Sequence, residues 1–243
     1  MTDTSSWVEP STGSTVAFIA VLGLTLGLFV WGVSLVFENR SRAALMAALG
    51  AGAWLLITGG YVAAGGTSAG VPGLMGFFAI ANLAGIVLAF SPLGTRLVEG
   101  LPLWGLAAFH GFRLPLEWIL HEWGKQGTMP VQMTFDGHNF DVITGIFAVV
   151  VGAVAVLGKK APPRWLILLF NIVGSALLAA VIGIVVASSP LPIKQYDGPP
   201  ILVALFLPYA WIAPICVAGA LSAHLMLWRA LARGDQRKRA SAH

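Results

Sequence analysis

Charge is what this chain has least of. Only 10% of its residues are Asp, Glu, Lys or Arg, against 57% hydrophobic, and its mean hydropathy is +0.84. A soluble domain carries roughly 25% charged residues. No single globular core could hide this much apolar surface, so the bilayer has to act as its solvent. Cysteine is nearly absent. The lone Cys216 excludes an intrachain disulfide and a multi-cysteine metal site, and its apolar surroundings mark it as an inert core thiol. The opening MTDTSSWVEP has no basic residue. A secretory signal starts on a positive stretch, so the first apolar run is expected to be a retained helix. Basic residues are nowhere interleaved with aromatics, which argues against nucleic acid as a partner. A separate soluble domain is excluded as well, because seven spans of about 20 residues use up the length.

What charge there is falls in an order. The chain has 14 Lys and Arg residues. Most stand in four places: Arg40 and Arg42; Arg96; Lys159, Lys160 and Arg164; and Arg229, Arg233, Arg237, Lys238 and Arg239. Long apolar runs separate these places, and the alternate gaps hold only Lys125 and Lys194. Basic residues are retained on the cytoplasmic side of a membrane. The pattern therefore predicts an all-α, polytopic seven-helix bundle in a bacterial cytoplasmic (inner) membrane, N-terminus outside and C-terminus inside. The runs cover Thr15–Phe37, Ala43–Ala64, Gly73–Phe90, Leu103–Trp123, Phe140–Leu157, Trp165–Ala187 and Ile201–Leu231. They make a transmembrane domain over 15–231, with an extracytoplasmic segment 1–14 before it and a basic cytoplasmic tail 232–243 after it. The net charge of +4 lies mostly in the tail and inner loops and suits anionic inner-leaflet lipid. Trp7, Trp104, Trp123, Trp165 and Trp228 fall near run ends and read as interface anchors, whereas Trp31, Trp54, Trp118 and Trp211 lie deeper.

One basic residue breaks the order. Arg113 lies inside the fourth run, where a charge is costly and by default functional. His110, Arg113, Glu117 and His121 are spaced by three, four and four, which puts all four on one helical stripe. At 1.5 Å per residue, His110 lies about 12 Å along the run, near mid-membrane. Pro115 interrupts the helix, frees the carbonyl near Gly111 and is expected to kink it. The segment MPVQMTFDGHNFD follows at the outer face, with Asp136, His138, Asn139 and Asp141. Met133, Phe135 and Phe140 are apolar enough to fold it back into the bundle, and Asp141 or Glu117 is the expected partner of Arg113. In the seventh run, Pro208 and Pro214 flank Tyr209 and Trp211 and predict a kinked or partly unwound span. Its aromatics would then line a pocket at the depth of Glu117.

Four readings of this cluster stay open: an ion-pair network holding helices together, a pocket for a small or lipidic ligand, an intramembrane acid–base site, and a proton- or ion-coupled path. The ion-pair network is the first of them, and among the functional readings the pocket leads. Arg113, His138, Asn139, Tyr209 and Trp211 are its ligand-binding candidates, with an anionic group on Arg113 as one option. Glu117, Asp141 and His110 are the proton-handling or catalytic candidates. No metal is expected, because neither His-Glu-x-x-His nor a repeated His-x-x-x-His occurs. No cofactor is expected either. A haem held by His110 and His224 is disfavoured because the two lie at different expected depths. Asn82, Asn171 and His224 are read as interhelical hydrogen-bonding groups, His224 being near the inner end of its run.

HGFRLPLE at 110–117, MTFDGHNFD at 133–141 and FLPYAWIAP at 206–214 together resemble motifs of a group of bacterial seven-helix integral membrane proteins. The resemblance covers most of the chain. It implies that the motifs of the fourth and fifth runs form one assembled unit, and it brings no activity with it. Retinal proteins need a lysine in the last helix, which is missing here. Membrane hydrolases of the ceramidase type need a His-x-x-x-His there, and the last run has only His224.

Overall fold

The computed structural model of the chain describes residues 4–190, 194–196 and 200–240, with the side chains of 234–240 excepted. The described residues are all-helical and contain no strand. Helices α1 (Thr12–Leu35), α2 (Arg40–Ala63) and α3 (Val71–Phe90) come first. Ser11 caps α1 by accepting from the Ser14 N–H, and Asn39 caps α2 by accepting from that of Arg42. As the Ser91-Pro92 pair predicts, α3 stops there. Ser91 also caps the next helix, accepting from the Gly94 N–H, with Pro92 in its first turn. That helix, α4 (Pro92–Gly100), lies in what reads as an inner loop. It is amphipathic, burying Leu97 and Val98 while Arg96 and Glu99 stay exposed.

The fourth run is not one helix. It divides into α5 (Leu103–Ala108), a 3-10 turn (Phe109–Phe112) and α6 (Arg113–Lys125). Pro115 has no N–H to offer the Gly111 carbonyl and its ring crowds it, so the backbone tightens one turn upstream. The proline itself sits in the first turn of α6, where its missing donor costs nothing. Then come α7 (Val142–Leu157) and α8 (Arg164–Ala187).

The seventh run starts later than its hydropathy suggests. Residues Val203–Leu205 form an isolated 3-10 turn, Tyr209–Trp211 a second one and Ile212–Val217 a π turn around Pro214; α9 (Ala218–Ala240) follows. The unwinding expected from the two prolines is there, but 201–208 are not part of the helix. Beyond Leu231 the helix runs on to Ala240, so 232–240 continue the helix rather than form a separate segment. The side chains of Arg237, Lys238 and Arg239 and residues 241–243 lie outside the described residues, as do 191–193 and 197–199 of the proline-rich loop.

Among the described residues, five helices are long and apolar enough to cross a membrane: α1, α2, α3, α8 and the stretch Tyr209–Arg233. That last stretch is the pole of the bundle, packing on α3, α4, α5 and α8. Its closest approach is to α3. A Cβ on Gly85 would stand 2.6 Å from the Ala218 carbonyl oxygen, and the Ser222 hydroxyl donates to the Gly85 carbonyl at 2.5 Å. The lower end is tied by side chains. Arg229 donates to the Ala89 carbonyl and to Thr95 Oγ1, and Arg233 pairs with Glu99 at 2.6 Å.

The tryptophans divide differently from their sequence positions. Trp123, near a run end, is fully buried against Phe18 and Tyr209. It is core, because the N-terminal segment and the 201–211 turns close over it. Trp31 and Trp118, which read as deep, lie on the outside of the bundle, 60% and 64% exposed.

Candidate functional site

The break in the fourth run positions the site. His110 belongs to the 3-10 turn, Arg113 opens α6 and Glu117 sits one turn further along; all three are buried. Asp141 immediately precedes α7 and pairs with Arg113 through Oδ2 and Nη2, both side chains being buried. Of the two partners expected from sequence, Asp141 and Glu117, the one paired with Arg113 is Asp141. Asn139 fixes the turn that carries Asp141. Its Oδ1 accepts from the Asp141 N–H at 3.1 Å, and its Nδ2 donates to the Met133 carbonyl at 3.0 Å and to Glu117 Oε2 at 2.7 Å. One amide thus links the loop, α6 and α7.

The other side of Arg113 meets a residue that sequence reading placed elsewhere. Arg113 Nη1 stands 3.2 Å from His224 Nε2 in α9. Arginine only donates, so this ring nitrogen accepts. The ring proton then belongs on Nδ1, which faces Asn171 Oδ1 in α8 at 2.7 Å. Asn171 Nδ2 returns a bond to the His224 carbonyl at 3.3 Å. The imidazole fits because α8 has Gly174 at that level; a Cβ there would lie 2.5 Å from His224 Cε1. His110 and His224 face each other with ring centroids 4.0 Å apart, and Phe170 closes the edge of His110 at 5.5 Å. Neither ring nitrogen of His110 has a hydrogen-bond partner.

Arg113, Glu117, Asp141, Asn139 and His110 thus converge, and the sequence reading missed His224 and Asn171. The reason is geometric. Counted as helix from Ile201, His224 falls near the inner end of its span. With the helix starting at Tyr209, it lies about 12 Å nearer the start of its helix at 1.5 Å per residue, level with the His110 ring that it touches. The earlier depth argument against a haem between these two histidines falls with it. Contact between the rings replaces that argument, since at 4.0 Å no macrocycle fits between them. The available signal was that His224 is the one residue among Asp, Glu, Lys, Arg and His within the apolar part of the seventh run.

Other candidates lie apart. His138 is exposed and stacks on Tyr196 at 5.6 Å. His121 belongs to the outer rim, stacked on Phe135 at 4.2 Å with Nδ1 3.2 Å from Asp136. The Tyr209 hydroxyl meets Thr15 Oγ1 at 2.9 Å, and its ring packs on Trp123. The Trp211 indole donates to the Leu55 carbonyl at 3.3 Å and lies against Gly59 of α2. Among the described residues, no group of three or more His, Cys, Asp or Glu is arranged to hold a metal ion.

A cavity of about 80 Å³ touches the cluster. Arg113, Glu117 and Asp141 form one wall; Leu178, Cys216 and Met133 are among the apolar groups on the others, and Ser189 and Ile201 lie toward the outer loops. That is room for several water molecules. The charges facing it do not balance internally. Two carboxyl groups, Asp141 paired with Arg113 and Glu117 bonded to Asn139, stand beside one guanidinium, and the hydrogen bonds assign a neutral imidazole to His224. An uncompensated buried charge is expensive, so a proton on the carboxyl pair or a positive group in the cavity completes the cluster.

Compared with protein-family models, with curated proteins and with solved structures, the chain finds no match in any of the three.

Proposed function

We propose that this is a multi-pass inner-membrane protein of seven crossings, N-terminus outside, whose extracytoplasmic half binds a small or lipidic ligand beside Glu117. The crossings are α1, α2, α3, the broken α5–α6 unit, α7, α8 and the Tyr209–Arg233 stretch. The observation that carries the ligand reading is the cavity, which is apolar apart from the wall made by Arg113, Glu117 and Asp141. Arg113 is already engaged by Asp141 and His224. The group left for a ligand is therefore a carboxyl, and the ligand presents a hydrogen-bond donor or a positive charge rather than an anion.

The test is native mass spectrometry of protein extracted in native-lipid nanodiscs. Wild type is expected to retain a species of defined mass. Leu178→Trp, which fills the cavity from α8, is expected to lose it, and Glu117→Gln to weaken it about tenfold, the cost of removing a charged hydrogen-bond acceptor. Equal retention in wild type and a folded Leu178→Trp protein would overturn the reading.

Topology has its own measurement. A fluorescent protein fused after Lys159 should light up, and alkaline phosphatase fused after Gln126 should be active. The opposite pattern at either site would reverse the assignment of the outer face.

A further inference from the structure

A second cavity lies in the other half of the bundle, between α1, α2, α3, α5 and α9. Its volume is about 730 Å³, within the range of about 300–1,000 Å³ typical of ligand pockets. Ala84, Trp104, Phe109 and Met226 are among its walls. Its lips are Trp31 of α1 and Met46 of α2, 60% and 61% exposed, so it opens sideways to the hydrocarbon rather than to water.

The two hydroxyls and the Trp54 indole in its walls are already used. Thr25 Oγ1 donates to the Val21 carbonyl at 2.8 Å, the Trp54 indole to the Pro214 carbonyl at 3.2 Å and the Ser222 hydroxyl to the Gly85 carbonyl. The other lining side chains are apolar except for the Trp31 and Trp104 indole N–H groups, so the occupant of the deep part is a hydrocarbon chain. The rim says what the chain is attached to. Leu93 and Leu97 of α4 and Leu101 close the cavity at the end where Arg96 lies over the Phe37 ring at 4.7 Å. Arg40 and Arg42 begin α2 just beyond Phe37. All three arginines are exposed, and none has a carboxylate partner among the described residues.

We propose that this cleft is a specific site for one anionic glycerophospholipid of the inner leaflet, with an acyl chain between α1 and α3 and its phosphate on Arg40, Arg42 and Arg96. The arginines supply charge selectivity, worth roughly a fivefold preference for each one near the surface. The apolar walls supply residence time, because the chain leaves lipid for a cleft it fills. The site is independent of the polar pocket beside Glu117.

The experiment reconstitutes the full chain in nanodiscs of dioleoyl phosphatidylglycerol and phosphatidylcholine in equal parts. Native mass spectrometry then counts lipids as detergent strips them. Wild type is expected to keep one phosphatidylglycerol after the others are gone. Ala47→Trp, which projects into the cleft, is expected to lose it. Leu157→Trp, on an outward surface that is 82% exposed, is expected to keep it, which separates the cleft from general surface lipid. Arg96→Ala and Arg42→Ala should each cut the preference for phosphatidylglycerol roughly fivefold. A retained lipid in Ala47→Trp, or equal retention of the two lipids by wild type, would overturn the proposal. Leu178→Trp, which tests the polar pocket, leaves this count unchanged.

Discussion

Arg113→Ala is expected to lower the unfolding free energy by about 3–5 kcal/mol, the usual cost of removing one partner of a buried ion pair. The loss is large because Asp141 and Glu117 remain, buried and short of positive charge, and His224 Nε2 loses its donor. Arg113→Lys should fall in between. A lysine is a point charge with one terminus and cannot meet Asp141 and His224 in the fork geometry of a guanidinium. The pair also has a signature that distinguishes it from simple packing. Arg113→Met combined with Asp141→Leu should recover much of the loss, since an apolar replacement of both partners removes the uncompensated charge. Reversible unfolding in mild detergent, followed by circular dichroism, measures all four proteins. An Arg113→Ala protein as stable as wild type would mean that water reaches this cluster freely.

Gly145→Ala is the second large effect, and its cause is steric. A Cβ on Gly145 would lie 2.5 Å from the Leu114 amide nitrogen and 2.8 Å from its Cα. Both are backbone atoms at the start of α6, so no rotamer change relieves the contact. Helices α6 and α7 must separate at the level where Arg113 of one meets Asp141 beside the other. The expected cost is about 1–3 kcal/mol, and Gly145→Val should cost more. Gly27→Ala is the matched control. Its Cβ meets nothing within 4 Å, so its midpoint should stay at the wild-type value or rise slightly through the better helix propensity of alanine. Thermal unfolding of the three variants beside wild type decides the matter; equal midpoints for Gly145→Ala and Gly27→Ala would contradict the close approach.

The parts of the site legible in the sequence are those that depend on regular spacing. His110, Arg113 and Glu117 share a stripe because helical periodicity survives the tightening at Phe109–Phe112, and Asp141 follows from the need to compensate Arg113. What failed depends on where regularity stops. The depth of His224 differs from the expectation because apolar residues 201–208 extend the hydropathy of the seventh run without belonging to the helix that carries it. His138 and Asn139 are neighbours, yet the turn sends one outward to Tyr196 and the other inward to Glu117. Alternation of that kind is set by backbone angles that no periodicity encodes. Trp123 sits near a helix end, where indoles favour the headgroups, but tertiary contacts with Phe18 and Tyr209 override that preference. Helix α4 escaped notice because a nine-residue element with Arg96 and Glu99 looks like a charged loop until its buried Leu97 and Val98 are seen.

The uneven burial of the long spans bears on how the protein is made. Only 11% of the α2 span is buried inside the bundle, against 67% for Tyr209–Arg233. The central pole is the last of the five long spans in chain order, so the helices that surround it are synthesised before the element they pack on. Arg113 can find Asp141 while the next hairpin is inserting, but His224 follows Arg113 by 111 residues. Until it is made, one side of the guanidinium, the Asn171 side chain and the His110 ring lack the partner they have in the folded protein. Assembly therefore finishes from the outside inward, and the polar centre is complete only when the final long span is seated.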